Sequence, residues 1–280
     1  MGILTDSSEG SDNTMDDDVA DIFTDTPVQK WPQKIWLVRH GQSAGNVARD
    51  AAEAARQHLI DIAERDMDVT LSELGERQAE AMSHWFRALG PDGQPTVVLY
   101  SPYVRARETA GAVIDKIGRD NLVASVMDER LREKEFGILD RLTPLGIHDK
   151  FPELAEQRQH VGKFYFRPPG GESWCDVILR LRSALDTIIR EYRGERVLIV
   201  GHQVIVNCFR YLLERMDEET ILAIDREADV PNCGITEYRY DPTLGKHGKL
   251  VLVQANFVAP LEDSGTPVTD QPDMPAAPKS

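Results

Sequence analysis

The sequence predicts an α/β protein built as a three-layer open sheet, mostly parallel, with helices on both faces. Two observations predict it. Short runs rich in Val, Ile and Leu recur at 35–38, 96–100 and 196–200, as buried parallel strands require. Between them fall segments whose apolar residues repeat three and four apart, and strands alternating with helices imply crossover connections that cover both faces of one sheet. With 280 residues, 41% of them hydrophobic, the chain has material for one large domain or two small ones.

Taken in order, residues 1–33 carry eight acidic residues against Lys30 and few apolar anchors, and read as a disordered acidic tail. The first strand follows at 35–38. The Ala-rich stretch 47–67, with alternating charges, fits either a lid or a surface helix. Ser72 is placed to cap a helix whose inner face carries Leu74, Met82, Trp85 and Leu89. After the strand at 96–100, Ser101 and Pro102 have the order of an N-cap and a first helical residue. Ser173 with Asp176 forms a capping box for a helix burying Val177, Leu181, Leu185 and Ile188. The strand at 196–200 leads into a fourth helix through Ile205, Phe209, Leu212 and Met216, and 235–240 and 250–257 read as later strands. Five prolines in 260–280 mark a second disordered tail, leaving 34–259 as the folded domain.

Charge and cysteine usage narrow the function classes. The net charge is −15, but the tails hold −7 and −3 of it, so the body carries only −5. Such a balance opposes nonspecific nucleic-acid binding and docking on anionic membranes. Cys175, Cys208 and Cys233 lack zinc-site spacing and are too few for a disulfide framework, which points to reduced thiols and a cytoplasmic location. The first residues lack a basic region followed by an apolar stretch, Asp6 breaks the myristoylation pattern, and no apolar run is long enough to span a membrane. A homo-oligomer is left open.

In open α/β sheets ligands bind beyond the carboxyl ends of the strands. Arg39 and His40 follow the first strand, Ser101 to Arg105 the second, and Gly201 and His202 the strand at 196–200, so all three pieces are expected at one sheet edge. The chemistry of these residues suits phosphoryl transfer. An arginine fork matches phosphate oxygens and stays charged, while a neutral histidine can act as nucleophile. Two arginines supply the fixed positive charge that a metal would otherwise provide, so neither metal nor cofactor is expected.

Four segments in this order resemble the histidine phosphatase superfamily, which is phosphoglycerate-mutase-like: Leu37-Val38-Arg39-His40-Gly41-Gln42-Ser43, the stretch 101–110 beginning Ser101-Pro102-Tyr103-Val104-Arg105, Leu131-Arg132-Glu133-Lys134-Glu135-Phe136-Gly137, and Val200-Gly201-His202. Asn46 and the helix opening Leu71-Ser72-Glu73-Leu74-Gly75 are similar to that family as well. The resemblance spans roughly residues 34–259. It implies that His40 becomes phosphorylated, that Arg39, Arg105 and His202 surround the phosphoryl group, and that Glu133 is the proton donor, with Glu135 as its rival. Gln42 and Asn46 join them as expected substrate contacts. Arg107 reads as a surface residue.

A further stretch, Lys163-Phe164-Tyr165-Phe166-Arg167-Pro168-Pro169-Gly170-Gly171-Glu172-Ser173, resembles the bisphosphatase half of the bifunctional enzyme that controls fructose 2,6-bisphosphate. Lys163 and Arg167 are therefore expected to hold a second phosphate or a sugar, or else the segment is a packed loop. No kinase-type Gly-x-x-x-x-Gly-Lys-Ser/Thr segment accompanies it. The expected activity is metal-independent hydrolysis of a small phosphorylated metabolite, such as a sugar phosphate, through a phosphohistidine. A phosphoglycerate-type mutase and a non-catalytic, phosphate-recognising regulatory protein are the alternatives.

Overall fold

A computed structural model of the protein describes residues 29–271, so most of the expected acidic tail and the far end of the proline-rich one lie outside the described residues. Six strands form one sheet: β1 (Lys34–Arg39), β2 (Val97–Tyr100), β3 (Ala124–Met127), β4 (Arg196–Gly201), β5 (Ile235–Asp241) and β6 (Lys249–Phe257). Their order is β3-β2-β4-β1-β5-β6. The pairings β1–β4, β4–β2 and β2–β3 are parallel, whereas β5 runs antiparallel to both β1 and β6. The connecting helices are α1 (Ala44–Ala54), α2 (Glu73–Ala88), α3 (Val104–Ile117), α4 (Pro144–Lys150), α5 (Pro152–Val161), α6 (Trp174–Glu191), α7 (Gln203–Glu214), α8 (Glu218–Glu227) and α9 (Ala259–Asp263).

Strand alternation divides the core into two layers. Ile35 and Leu37, with Val197 and Ile199, pack against Val177, Leu181 and Ile188 of α6 and Phe209 of α7. Trp36 and Val38, with Leu198 and Val200, face Met82 and Phe86 of α2 and Ala110 and Val113 of α3. The central strands are thus apolar on both sides because both sides are covered. Trp36 and Phe86 meet edge to face at 5.5 Å between ring centres, a pairing that contributes ~1 kcal/mol beyond its buried area. The expected three-layer, mostly parallel sheet is the one observed.

The register puts the site where the strands end. Arg39 lies opposite Gly201 and Tyr100 opposite Val200, so the segments leaving β1, β2 and β4 emerge side by side. Ser72 and Ser173 cap α2 and α6 as expected, the latter in a full capping box with Asp176.

Four expectations need correction. The strand β3 was not predicted; it is short and half-exposed at the sheet edge, so its apolar pattern is weak. The helix after β2 starts at Val104 behind an extended Tyr103, not at Pro102; Ser101 Oγ accepts the Tyr103 N–H at 3.3 Å and lies 2.8 Å from His202 Nε2. Stretch 47–67 is not one surface helix. It divides into the end of α1 and an irregular loop closed by a 3-10 turn, Asp66–Asp68. Residues 260–271 are not a disordered tail, since α9 buries Leu261 completely against the α2–α3 layer and the chain then runs on to the edge of the site. A single apolar anchor among prolines hid that docking.

Candidate active site

The His40 loop begins where β1 runs out. The His40 N–H donates to the Gly201 carbonyl at 3.0 Å, prolonging the β1–β4 ladder by one residue and burying the imidazole completely. His40 Nδ1 lies 2.6 Å from the Gly41 carbonyl. A carbonyl only accepts, so Nδ1 carries the proton and, in the neutral ring, the lone pair sits on Nε2. Arg105 Nε donates to that Nε2 at 3.2 Å. Glycine at 41 is required by backbone proximity: a Cβ there would lie 2.6 Å from the Gly75 carbonyl oxygen, and one at Gly75 would lie 1.9 Å from that of Gln42. The loop and the first turn of α2 pack main chain against main chain.

β4 delivers the second histidine. His202 is fully buried at the N-terminus of α7, with its ring centre 5.1 Å from that of His40. Its Nε2 is 2.8 Å from Ser101 Oγ and its Nδ1 is 3.8 Å from Glu133 Oε2. Glu133 is likewise buried, and its Oε1 accepts the Lys134 N–H at 2.7 Å. Sequence reasoning took Ser101 for a helix cap; its position directly after β2 was the available signal for a second-histidine partner. Tyr103 stacks edge-on to His202 at 5.1 Å and lies under the Arg105 guanidinium at 5.0 Å. Burial, reinforced by Asp66, Glu135 and Glu133, pushes its phenol pKa up, so Tyr103 stays neutral.

The two motif arginines are buried cations with partners from loops distant in sequence. Arg39 donates to the Val230 carbonyl at 2.6 Å and to the Gln271 carbonyl. Arg105 sits in the first turn of α3, where a cation opposes the helix dipole and calls for an anion. Asp66 supplies it: its carboxylate is 3.0 Å from Arg105 Nη1 and its carbonyl accepts from the same nitrogen at 2.6 Å. The Arg105 main chain is held in turn, because Thr109 Oγ1 donates to its carbonyl at 2.8 Å and accepts the Gly41 N–H at 3.0 Å.

Other predicted contacts fall into two groups. Gln42 and Asn46 follow His40 closely in the chain, but both do visible structural work: Gln42 Oε1 accepts from Ser72 Oγ at 2.8 Å, and Asn46 Oδ1 closes a capping box with Ser43. Lys163 bonds the buried carboxylate of Asp225, and the exposed Arg167 bonds Asp176 at the start of α6. The structure gives neither a contact with His40. Glu135 is half-exposed and accepts from Tyr103 Oη at 3.3 Å, whereas Glu133 faces His202. Lys134 lies over the Phe136 ring at 4.3 Å, and burial lowers its pKa to about 8 despite the nearby carboxylates of Glu133 and Glu172. Arg107 is exposed, as expected. Among the described residues there is no cluster of three or more His, Cys, Asp or Glu that would hold a metal, and no helix long and apolar enough to cross a membrane.

A family model for the histidine phosphatase superfamily, branch 1, matches residues 35–252. The chain belongs to the histidine phosphatase superfamily. Among its relatives, a 2,3-bisphosphoglycerate-dependent phosphoglycerate mutase of Rhizobium etli is 31% identical over 70% of this chain and 86% of its own length. The phosphoglycerate mutase-like protein AT74H of Arabidopsis thaliana is 28% identical over 72% of each chain. A solved mycobacterial glucosyl-3-phosphoglycerate phosphatase, complexed with inorganic phosphate, superposes with a TM-score of 0.61 at 23% identity, covering 81% of this chain and 99% of its own. That last likeness bears on the fold. As a histidine phosphatase the chain is an enzyme, and His40, Arg105, Glu133 and His202 stand together at the sheet edge where this class of chemistry has its natural place.

Proposed function

We propose that this histidine phosphatase hydrolyses phosphomonoesters of small phosphorylated metabolites through a phosphohistidine on His40, without a metal. The observation that carries the reading is the His40 ring itself: Nδ1 is tied to the Gly41 carbonyl, and the Nε2 lone pair is presented to the guanidinium of Arg105. In the first step Nε2 attacks phosphorus in line. An entering phosphate draws Arg105 from Nε2 onto its oxygens, and Arg39 and His202 complete the surround of the equatorial oxygens. Glu133, protonated at this stage, gives its proton to the departing alkoxide. In the second step the Glu133 carboxylate takes a proton from water as its oxygen attacks phosphorus in line; the P–Nε2 bond breaks, its electron pair returns to His40, and inorganic phosphate is released.

The relatives named as phosphoglycerate mutases and the solved phosphatase named for a glucosyl phosphoglycerate support a small phosphorylated metabolite, a sugar phosphate or phosphoglycerate, as substrate. Lys163 and Arg167 would serve a distal anionic or sugar group only after leaving Asp225 and Asp176. Mutase activity is the second reading, favoured by the same mutase relatives; it requires the phosphohistidine to outlast the reorientation of bound product in a water-poor pocket. Three free cysteines, two of them buried, fit the cytoplasmic location inferred above.

Purified protein supplied, in the presence of a chelator, with sugar phosphates, fructose bisphosphates, phosphoglycerates, nucleotides and phosphopeptides tests the proposal. Release of inorganic phosphate from a metabolite at far higher kcat/KM than from the rest, abolished in His40→Ala, is the expected result. Isomerised phosphoglycerate without phosphate release assigns a mutase. Tight ligand binding with no turnover of any ester assigns a phosphate-recognising protein.

A further inference from the structure

Two buried amides connect the nucleophile loop to one threonine near the C-terminal end of the described chain. Asn232 Nδ2 donates to the His40 carbonyl at 3.0 Å, and Asn232 Oδ1 accepts from Thr269 Oγ1 at 2.9 Å. Gln78 Oε1 accepts the Gln42 N–H at 2.8 Å, while Gln78 Nε2 donates to Thr269 Oγ1 and to the Pro267 carbonyl, each at 2.9 Å. The Asn232 N–H closes the arrangement on the Thr269 carbonyl at 2.8 Å. Both amide side chains are completely buried.

These bonds fall on the two peptide units that flank Gly41. The His40–Gly41 unit has its carbonyl on Asn232 and its N–H on Thr109 Oγ1. The Gly41–Gln42 unit has its N–H on Gln78, and its carbonyl is the acceptor of His40 Nδ1. The orientation of the imidazole therefore follows the plane that Gln78 holds. A glycine between two such planes resists rotation least of all residues, so the hold must come from outside the loop. An amide is fixed in rotation only when its donor and acceptor ends are both engaged. The Thr269 hydroxyl engages one end of each, accepting from Gln78 and donating its single proton to Asn232.

We propose that Thr269 is a positioning residue for the nucleophile: by locking Gln78 and Asn232 it fixes the peptide planes on both sides of Gly41 and thereby the aim of His40 Nε2. The proposal rests on His40 being the nucleophile. It also explains why the chain returns to the site after α9 although residues 264–271 contribute no motif.

Single-turnover phosphorylation of the full-length protein by an aryl phosphate, with rapid quenching, reads the aim directly. Misplacement on the order of an ångström costs ~100-fold in rate, and a partial loosening in Thr269→Val is expected to slow His40 phosphorylation by about tenfold. KM should stay within about twofold, because the Thr269 hydroxyl bonds Gln78 and Asn232 and neither Arg39 nor Arg105, and Thr269→Ser, which keeps the hydroxyl, should restore the rate. Thr269→Ala removes the hydroxyl without putting a methyl in its place and should repeat the loss if Thr269→Val fails to fold. Wild-type rates in Thr269→Val or Thr269→Ala overturn the proposal. So does a faster rate, which would make the segment a competitor for Arg39 through the Gln271 carbonyl. Failure of the unsubstituted protein to label on His40 removes the nucleophile reading itself, and is seen before any substitution is made.

Discussion

The inner and outer halves of the site hold their charges in opposite ways. Within the sheet edge, His40, His202 and Glu133 are buried and tied to main chain, to the Ser101 hydroxyl or to each other, through the Gly41 carbonyl, Ser101 Oγ, the Lys134 N–H and the Glu133–His202 approach. On the outer side, Lys163 and Arg167 each rest on a carboxylate of the chain itself. Arg105 stands at the border, donating inward to His40 and outward to Asp66. On the proposed mechanism the inner half is preorganised for one event, charge development on a phosphoryl group, whereas the outer cations need a ligand that outcompetes Asp225 or Asp176. The reaction type is consequently better defined than the substrate.

Substitutions sharpen that contrast, beginning in the inner half. Glu133→Gln is expected to slow His40 phosphorylation by an alkyl phosphate ~10³-fold while leaving aryl phosphates with good leaving groups much less affected, since only the alkoxide needs the proton. Equal losses in the two series, read by stopped-flow with both esters, would assign the acid elsewhere. Arg105→Ala removes the donor that the proposed mechanism places on the transferring oxygens and should cost ~100-fold in kcat/KM, or ~3 kcal/mol.

Lys134, next to Glu133 but engaged mainly by burial, predicts a change in stability rather than in chemistry. Its folded-state pKa of about 8 lies below the ordinary lysine value, so between those two values the unfolded chain binds more protons and stability rises with pH. The penalty is complete below pH ~8 and vanishes above ~10.5, an effect on the order of 3 kcal/mol. Urea denaturation at pH 7 and pH 9.5 should show a rising component in the wild type that Lys134→Met lacks.

The smallest effect falls on the border. Asp66→Asn removes the carboxylate that, on the proposed mechanism, an incoming phosphate displaces from Arg105, and should lower KM for a phosphomonoester by several-fold, ~1 kcal/mol, with little change in kcat. A raised KM would instead make Asp66 a substrate contact.

What the sequence made legible follows the same division. His40, Arg105, Glu133 and His202 stand in motifs because the chemistry restricts both residue type and position after a strand end, and the parallel register then brings them together. Asp66, Asn232, Gln78 and Thr269 belong to no such pattern. Each bonds the site from a separate loop or helix, where any polar residue of the right reach would look alike in sequence. The strand β3 and the docked residues 260–271 escaped for a related reason: a half-exposed edge strand and one buried leucine among prolines leave little periodicity to read. Lys163 and Arg167 stand out in sequence as cations in a motif-like stretch, but their partners, Asp225 and Asp176, become visible only in three dimensions.

The central claim is that His40 Nε2 attacks phosphorus, and trapping the adduct tests it most directly. Rapid quenching in alkali during turnover of a phosphomonoester, followed by peptide mass spectrometry, should find phosphate on His40 in the wild type and on no residue in His40→Ala. Undiminished turnover in His40→Ala, or label on any other side chain, would contradict the account.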